Sequence, residues 1–511
     1  MVAIYRSQCA SYPNRAPFHP GQRFPEAMFP EVSVEANHAY EAVRACLLIA
    51  GLDVEHQTTP AWNPLRGLIR PGETVLLKPN LIKERHPREP LGWQCMLTHG
   101  SIVRAVADYV WKALDGRGRI IVADAPQTDS SFDAVVRVLG LDAVRDFYRA
   151  GGLDFDLIDL RRAEWMNRGG VIVSRRPLPG DPRGNIAFDL GERSEFVAHG
   201  GTGRYYGADY DTGQVNAHHS QGRHEYLIAA SAIECDVLFN LPKLKTHKKD
   251  GITVGLKNLV GINGDKNWMP HHTEGEPSDG GDEHPGGNLK HRAERAMIPY
   301  FWGLSRRIPG LGPWIYQQAR RFGTGVFGDT EVVVRSGNWW GNDTVWRMCL
   351  DLNKLVLYGE RNGSLRDETL QNRKRHYVLV DGLIAGEGRG PVNPDPVPAG
   401  LVVFGVQAVH VDTVCAWLMG FDPERIPIIR QAYRCRRYPL VQGDWRDVIL
   451  ASNQQEWNGV IAELDEQTTL RFEPHFGWKG RIERRLAREV RNGEPGSDLP
   501  QAADVPAARR L

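Results

Sequence analysis

No Cys-x-x-Cys pair occurs in the chain, and its seven cysteines, Cys9, Cys46, Cys95, Cys235, Cys349, Cys415 and Cys435, are scattered and odd in number. That spacing excludes the common zinc and iron–sulfur ligand patterns and a disulfide framework, and it leaves the thiols as small buried hydrophobes. An excess of charge of one sign is also missing, since 63 basic side chains face 62 acidic ones for a net charge of +1. No global field draws the molecule to nucleic acid or to an anionic membrane, so any anion site has to be local. Apolar stretches such as Ala45 to Ala50 fall far short of the roughly 20 residues that span a bilayer. Arg6, Ser7 and Gln8 interrupt the start before a secretory signal can build. The expectation is a cytoplasmic protein with neither a membrane nor a nucleic-acid partner. Neither a Gly-x-Ser-x-Gly elbow nor a Gly-x-x-x-x-Gly-Lys phosphate loop appears.

What is present is enough for a large core: 511 residues, 41% of them hydrophobic and 24% charged. Short continuous apolar runs that end in polar loops read as buried strands. Thr74 to Leu77 runs into Lys78-Pro79-Asn80, Ile120 to Ala123 into Asp124, and Asp236 to Asn240 into Leu241-Pro242-Lys243-Leu244-Lys245-Thr246-His247. Between the first two, Ile102, Val103, Val106, Val110 and Leu114 repeat at helical spacing. Strand, helix, strand in that order places the two strands parallel and their polar ends on one edge, where ligands bind in such sheets. Further strands are expected at 155–160, 377–380 and 401–404, and helices at 32–49, 251–260, 288–322, 343–358, 409–419 and 423–433.

These elements divide the chain into an amino-terminal arm (1–70), a main α/β lobe (71–261) with a strand-and-loop insertion at 161–224, and a loop and helical insertion (262–342). A second α/β lobe (343–435) and a carboxyl-terminal extension (436–511), disordered after about 491, complete it. The expected class is α/β, two lobes with parallel or mixed sheets flanked by helices.

The densest chemical constellation is Lys243, Lys245, Thr246, His247, Lys248, Lys249 and Asp250, followed by a helix carrying Lys257 and Asn258. Ammonium groups with the N–H groups of a helix start suit a phosphate or carboxylate, while the plainer reading is a solvated basic turn. Lys78 at a strand end either faces a cleft with Asn80 or snorkels out past a turn. Asp381 and Glu387 bracket a Gly-rich stretch where carboxylates could pair with lysines, hold a divalent metal or act as acid and base, and Arg389 is placed to clamp an anion. The alternative there is a Gly-rich turn with a solvated acid. Asp412 reads as an ordinary helix-start acid. His271 and His272 are the candidate metal ligands in a polar loop.

Four pieces in this order resemble the domain-of-unknown-function family 362. They are Val75 to Leu81; Thr98-His99; Asp236 to His247 with Gly255-Leu256-Lys257-Asn258-Leu259-Val260-Gly261; and Asp381-Gly382 through Gly386-Glu387-Gly388-Arg389-Gly390-Pro391 with Val411-Asp412. Members often carry appended iron–sulfur motifs, and the cysteines for one are missing here, which argues against electron transfer. More distantly, His247 and Lys257 are similar in order and spacing to a loop histidine and a cofactor-attaching lysine of the nickel-pincer lactate racemase superfamily. That similarity implies a lactate-racemase-like architecture and makes a nickel-pincer nucleotide on Lys257 one option for a cofactor. Asp124-Ala125-Pro126 stands where the racemases carry a second catalytic histidine, so racemisation by two opposed bases does not follow.

The leading expectation is an enzyme acting on a small anionic substrate, phosphorylated or a carboxylate, in an inter-lobe cleft. Lys78, Asn80, Lys243, Lys245, Thr246, Lys257, Asn258 and Arg389 would bind the anion, with His247, Glu387 and Asp381 as the acid–base groups. The alternative is a non-catalytic protein that sequesters an anionic cofactor or metabolite.

Overall fold

The computed structural model describes residues 1–168, 171–208, 212–286, 333–435 and 437–484. The helix expected over 288–322 and the tail expected after 491 lie outside the described residues.

Twelve strands form one mixed sheet. In chain order they are β1 (Val2–Arg6), β2 (Thr74–Pro79), β3 (Arg119–Asp124), β4 (Asp154–Asp159), β5 (Val237–Leu241), β6 (Lys243–His247), β7 (Gly251–Thr253), β8 (Arg375–Glu387), β9 (Asp395–Val397), β10 (Leu401–Gly405), β11 (Ile449–Ser452) and β12 (Gly459–Val460). Across the sheet the order is β12-β11-β1-β10-β8-β5-β2-β3-β4, with β6 and β9 paired to β8, and β7 to β6. From β8 through β5, β2, β3 and β4 every neighbour is parallel. β10 runs antiparallel to both β8 and β1. The α/β class with a mixed sheet flanked by helices is as the sequence predicted.

Continuous apolar strands mean that both faces of this sheet are covered. Successive side chains alternate between faces, so Leu76, Ile121 and Leu238 join one core cluster while Val75, Leu77, Ile120, Val122, Val237 and Phe239 join the other. Helices α1 (His38–Ile49) and α2 (Gly100–Ala113) close the second cluster through Val43, Leu47, Val103 and Val106. Below the sheet a short helix, α3 (Gly255–Asn258), lies with α4 (Val345–Tyr358) and α5 (Ala408–Leu418) in the first cluster. Layers of helix, sheet and helix result. No helix of the described residues is long and apolar enough to cross a membrane.

Three local expectations change. Strands assigned to two lobes share this one sheet, because β5 pairs directly with β8 in the register Val237↔Arg375 to Asn240↔Val378. The amino-terminal arm is not separate from the sheet: it contributes β1, held between β10 and β11. The stretch 251–260 is not one helix. Gly251 takes φ +79° and turns the chain back, the β-branched Ile252 and Thr253 pair with β6 as β7, and only four residues become α3.

One further feature aims the lysine loop. β8 is 13 residues long, more than β5 can cover. After β5 ends, Pro242 offers its carbonyl to the Asp381 N–H at 2.9 Å, and the chain continues along β8 as β6, with Lys243 opposite Asp381 and Lys245 opposite Gly386. Proline has no N–H to give, so it sits where the ladder breaks.

Candidate functional site

Past the carboxyl ends of β2, β3 and β5 lies a cavity of about 320 Å³ whose wall carries six lysines, Lys78, Lys245, Lys248, Lys249, Lys257 and Lys266, together with His247 and His271. Among the described residues, Asp124 is the one carboxylate in that wall. It is already engaged: Oδ1 lies 2.8 Å from Lys78 Nζ, and Oδ2 accepts the Leu81 N–H at 2.7 Å. Ile82, Ala125, Pro126 and Val260 supply an apolar side.

A chain of side-chain amides fixes the floor. Asn258 Nδ2 donates to Asn240 Oδ1 at 2.7 Å and to the Lys78 carbonyl at 3.0 Å, while its own oxygen accepts from Asn80 Nδ2 at 2.9 Å. Asn240 Nδ2 in turn donates to the Gly255 carbonyl at 2.8 Å. Each amide is buried and bonded at both ends, which locks the ends of β2 and β5 to α3. Asp412 on α5 completes the mount by accepting the Gly255 and Leu256 N–H groups at 2.7 and 3.1 Å. Burial raises its carboxyl to about 8.

Three lysines of the wall, Lys245, Lys249 and Lys266, are held by neutral partners. Lys245 is fully buried, and its Nζ reaches the Met96 carbonyl at 2.5 Å and Asn80 Oδ1 at 3.2 Å. Lys249 Nζ meets His272 Nδ1 at 3.1 Å, and Lys266 Nζ the Val260 carbonyl at 3.1 Å. Burial first, and neighbouring ammonium groups after it, lower each of these three lysines to about 7. No carboxylate among the described residues stands within ion-pair distance of any of them. An ammonium in low dielectric without a counter-ion gives up its proton or awaits an anion.

His247 ends β6 and is buried, with Nδ1 accepting the Lys249 N–H at 3.1 Å. Burial, then Lys257 and Lys248, hold its imidazole well below the usual range, so it is neutral near pH 7. Since Nδ1 accepts, the ring proton resides on Nε2 and the neutral ring presents a donor. A base role for His247 does not fit that tautomer.

Of the residues singled out from sequence, Lys78, Asn80, Lys245, His247, Lys257, Asn258 and His271 come together at this cavity. Others are used elsewhere. Lys243 Nζ is buried against Asp381 Oδ2 at 2.9 Å and the Tyr12 hydroxyl at 2.7 Å, and Asp381 also accepts from that hydroxyl and from the His99 N–H. Lys243 and Asp381 are therefore an internal ion pair beneath the loop. Glu387 Oε2 accepts the Glu473 N–H at 2.7 Å, and burial raises its carboxyl above the ordinary value. Thr246 Oγ1 donates to the Gly388 carbonyl at 3.0 Å, and the partly buried Arg389 does not line the cavity. His272 is not among the residues lining the cavity and stacks on Tyr206 with ring centroids 4.7 Å apart. Among the described residues no group of three or more His, Cys, Asp or Glu side chains is arranged to hold a metal ion.

Sequence reasoning missed Asn240, Asp124 and Lys266 as parts of the site. The first two end buried strands beside Lys78 and were legible from the strand pattern. Lys266 sits in a polar stretch that nothing in the sequence ties to the sheet edge. A larger cavity, about 570 Å³, opens at the opposite strand ends, lined by Arg183, Arg361, Arg366, Arg373 and Arg375 among others. Its cations are largely spent, with Arg183 and Arg361 on Glu234 and Arg375 on Glu73.

Fold and site together define an α/β protein with a cation-lined cavity at the carboxyl ends of parallel strands. Residues 168–417 match the family model described as Domain of unknown function (DUF362). A thylakoid-associated protein of Synechocystis sp. is 21% identical over 368 residues, which is 71% of this chain and 69% of that protein. A solved structure of a Thermotoga maritima protein is similar at 12% identity with a TM-score of 0.26, covering 66% of this chain. The matched part spans about half, 51%, of that Thermotoga chain.

Proposed function

We propose that the protein is a cytoplasmic enzyme acting on a small anionic substrate, phosphorylated or a carboxylate, held in the lysine-lined cavity. One observation carries this reading: Lys245, Lys249 and Lys266 share a wall in which Asp124, the one carboxylate among the described lining residues, is committed to Lys78. The anion supplies the missing counter-charge, and Lys245, Lys249 and Lys266 take up protons as it enters. Asn80 and Asn258 hold the floor rigid, Lys257 and Lys248 add charge, and His247 donates from Nε2 to an oxygen of the ligand. The apolar side formed by Ile82, Ala125, Pro126 and Val260 suits a compact uncharged body attached to the anionic group.

Titration calorimetry with inorganic pyrophosphate tests the reading. Saturable binding that Lys257→Met weakens at least tenfold is the expected result; no heat from the wild-type protein overturns it. A non-catalytic protein sequestering an anionic metabolite uses the same lysines. His247→Gln separates the two, since a carrier keeps its affinity for metabolites purified with it while an enzyme loses turnover of them. A divalent ion or a nickel-pincer nucleotide on Lys257 has no described metal-ligand set to support it. Native mass spectrometry with elemental analysis of protein from its own host reports either one directly. Thylakoid association is what the Synechocystis relative is named for, so membrane fractionation is the matching test of the cytoplasmic location.

A further inference from the structure

Two imidazoles reach the cavity, and the nitrogens that anchor them are bonded in opposite senses. At His247, Nδ1 accepts from the Lys249 N–H, which leaves the proton on Nε2. At His271, Nδ1 lies 2.9 Å from the Met269 carbonyl oxygen. A carbonyl only accepts, so Nδ1 of His271 carries the proton and Nε2 keeps its lone pair.

The His271 backbone is pinned on both sides. Its N–H donates to the Tyr206 carbonyl at 2.7 Å, and its carbonyl accepts from Asn342 Nδ2 at 3.1 Å and from Lys249 Nζ at 3.4 Å. Lys249 thus touches both histidines, one with its backbone and the other with its ammonium group. Burial, then the nearby Lys257, keep both rings neutral. Asp124, the one carboxylate among the described residues of the wall, is held by Lys78 and is not free to act as a base.

We propose that His271, through Nε2, is the proton acceptor of this cavity, and that His247, through Nε2–H, is its hydrogen-bond donor. The ligand class that uses both is a small anion with an acidic C–H or O–H bond beside its charged group. In the step, the bond to hydrogen breaks, the proton goes to Nε2 of His271, and the electron pair stays on the ligand. Negative charge that gathers on a ligand oxygen is met by the His247 N–H and the surrounding ammonium groups. Return of the proton restores both rings, and no oxidant or reductant is needed. This inference rests on the reading of the cavity as an anion site.

Histidine-selective ¹⁵N labelling of the full chain, with signals assigned through His271→Gln and His247→Gln, tests it. Long-range nitrogen–proton correlations at pH 7.5 are expected to show His271 as the Nδ1–H tautomer and His247 as the Nε2–H tautomer. Diethyl pyrocarbonate, which acylates an unprotonated ring nitrogen, is expected to modify His271, to spare His247, and to be slowed by inorganic pyrophosphate. An Nε2–H tautomer at His271, or stoichiometric Zn²⁺ binding that moves the His271 Nε2 resonance, overturns the proposal. Opposite tautomers without any pyrophosphate effect sink the anion reading and with it this role for the pair, whereas pyrophosphate binding with the wrong tautomer at His271 sinks the proton-acceptor role alone.

Discussion

Lys78 and Asp124 end adjacent parallel strands and meet as a buried ion pair 2.8 Å apart, with Gly261 packed against both. A Cβ at position 261 would stand 1.8 Å from Asp124 Oδ1 and 2.6 Å from Lys78 Nζ, so the close approach requires glycine there. The Gly261 carbonyl also accepts the Ala125 N–H at 2.7 Å, which ties the segment after α3 to the end of β3.

Removing one partner of this pair leaves a charge buried without compensation. Asp124→Ala is expected to cost about 3–5 kcal/mol of unfolding free energy in urea titrations, and the double variant Asp124→Ala with Lys78→Met to recover part of that loss. Equal losses in the single and double variants would show that the pair does not hold the strand ends together.

Lys243 and Lys257 belong to the same motif but do different work. Lys243→Met breaks the internal pair with Asp381 and is expected to destabilise the protein by about 3–5 kcal/mol, with pyrophosphate affinity changed less than threefold while the chain stays folded. Lys257→Met is expected to do the reverse. Thermal melts and calorimetry on both variants check the division.

Affinity for anions should fall as pH rises. With Lys245, Lys249 and Lys266 near 7 in the empty cavity, each is partly neutral at pH 7.5, and an arriving anion pulls a proton onto it. Binding is then accompanied by proton uptake, and affinity drops by up to about tenfold per pH unit for each proton taken up. Sulfate is the suitable probe because its own charge is constant over this range. Its binding heat measured in buffers of different ionisation enthalpy should report uptake at pH 7.5, and proton release would contradict the assignment.

Asp412 acts from a distance, by holding the start of α3. Asp412→Ala removes the acceptor of two buried N–H groups and is expected to cost about 1–3 kcal/mol and to weaken pyrophosphate binding as Lys257 loses its mount. Asp412→Asn keeps one acceptor oxygen of similar shape and should cost less in both measurements.

Much of the sheet was legible because buried parallel strands announce themselves as short apolar runs. Val75 to Leu77, Ile120 to Ala123 and Val237 to Phe239 needed only that pattern. β1 was missed because Val2 to Tyr5 opens the chain with no turn signal before it, and its partners lie some 400 positions away. α3 was drawn too long because Gly251 to Val260 is apolar at both helical and strand spacing, and only the pairing of β7 with β6 decides between them. In the site, Lys245, His247, Lys257 and Asn258 were legible from their density after one strand. Lys243 and Lys245 could not be told apart, since both are lysines two residues apart on the same strand.

Residue order alone determined that strands β2, β3 and β5 are buried, that their polar loops share an edge, and that lysines crowd there, because apolar runs and right-handed crossovers leave few alternatives. Tertiary structure decided which charges remain uncompensated. Lys243 finds Asp381 and Tyr12, Lys78 finds Asp124, and Lys245 finds only neutral oxygens, and these partners come from strands and loops far apart in sequence. Whether an ammonium is a structural pin or a ligand contact depends on that distant partner, and local sequence carries no record of it.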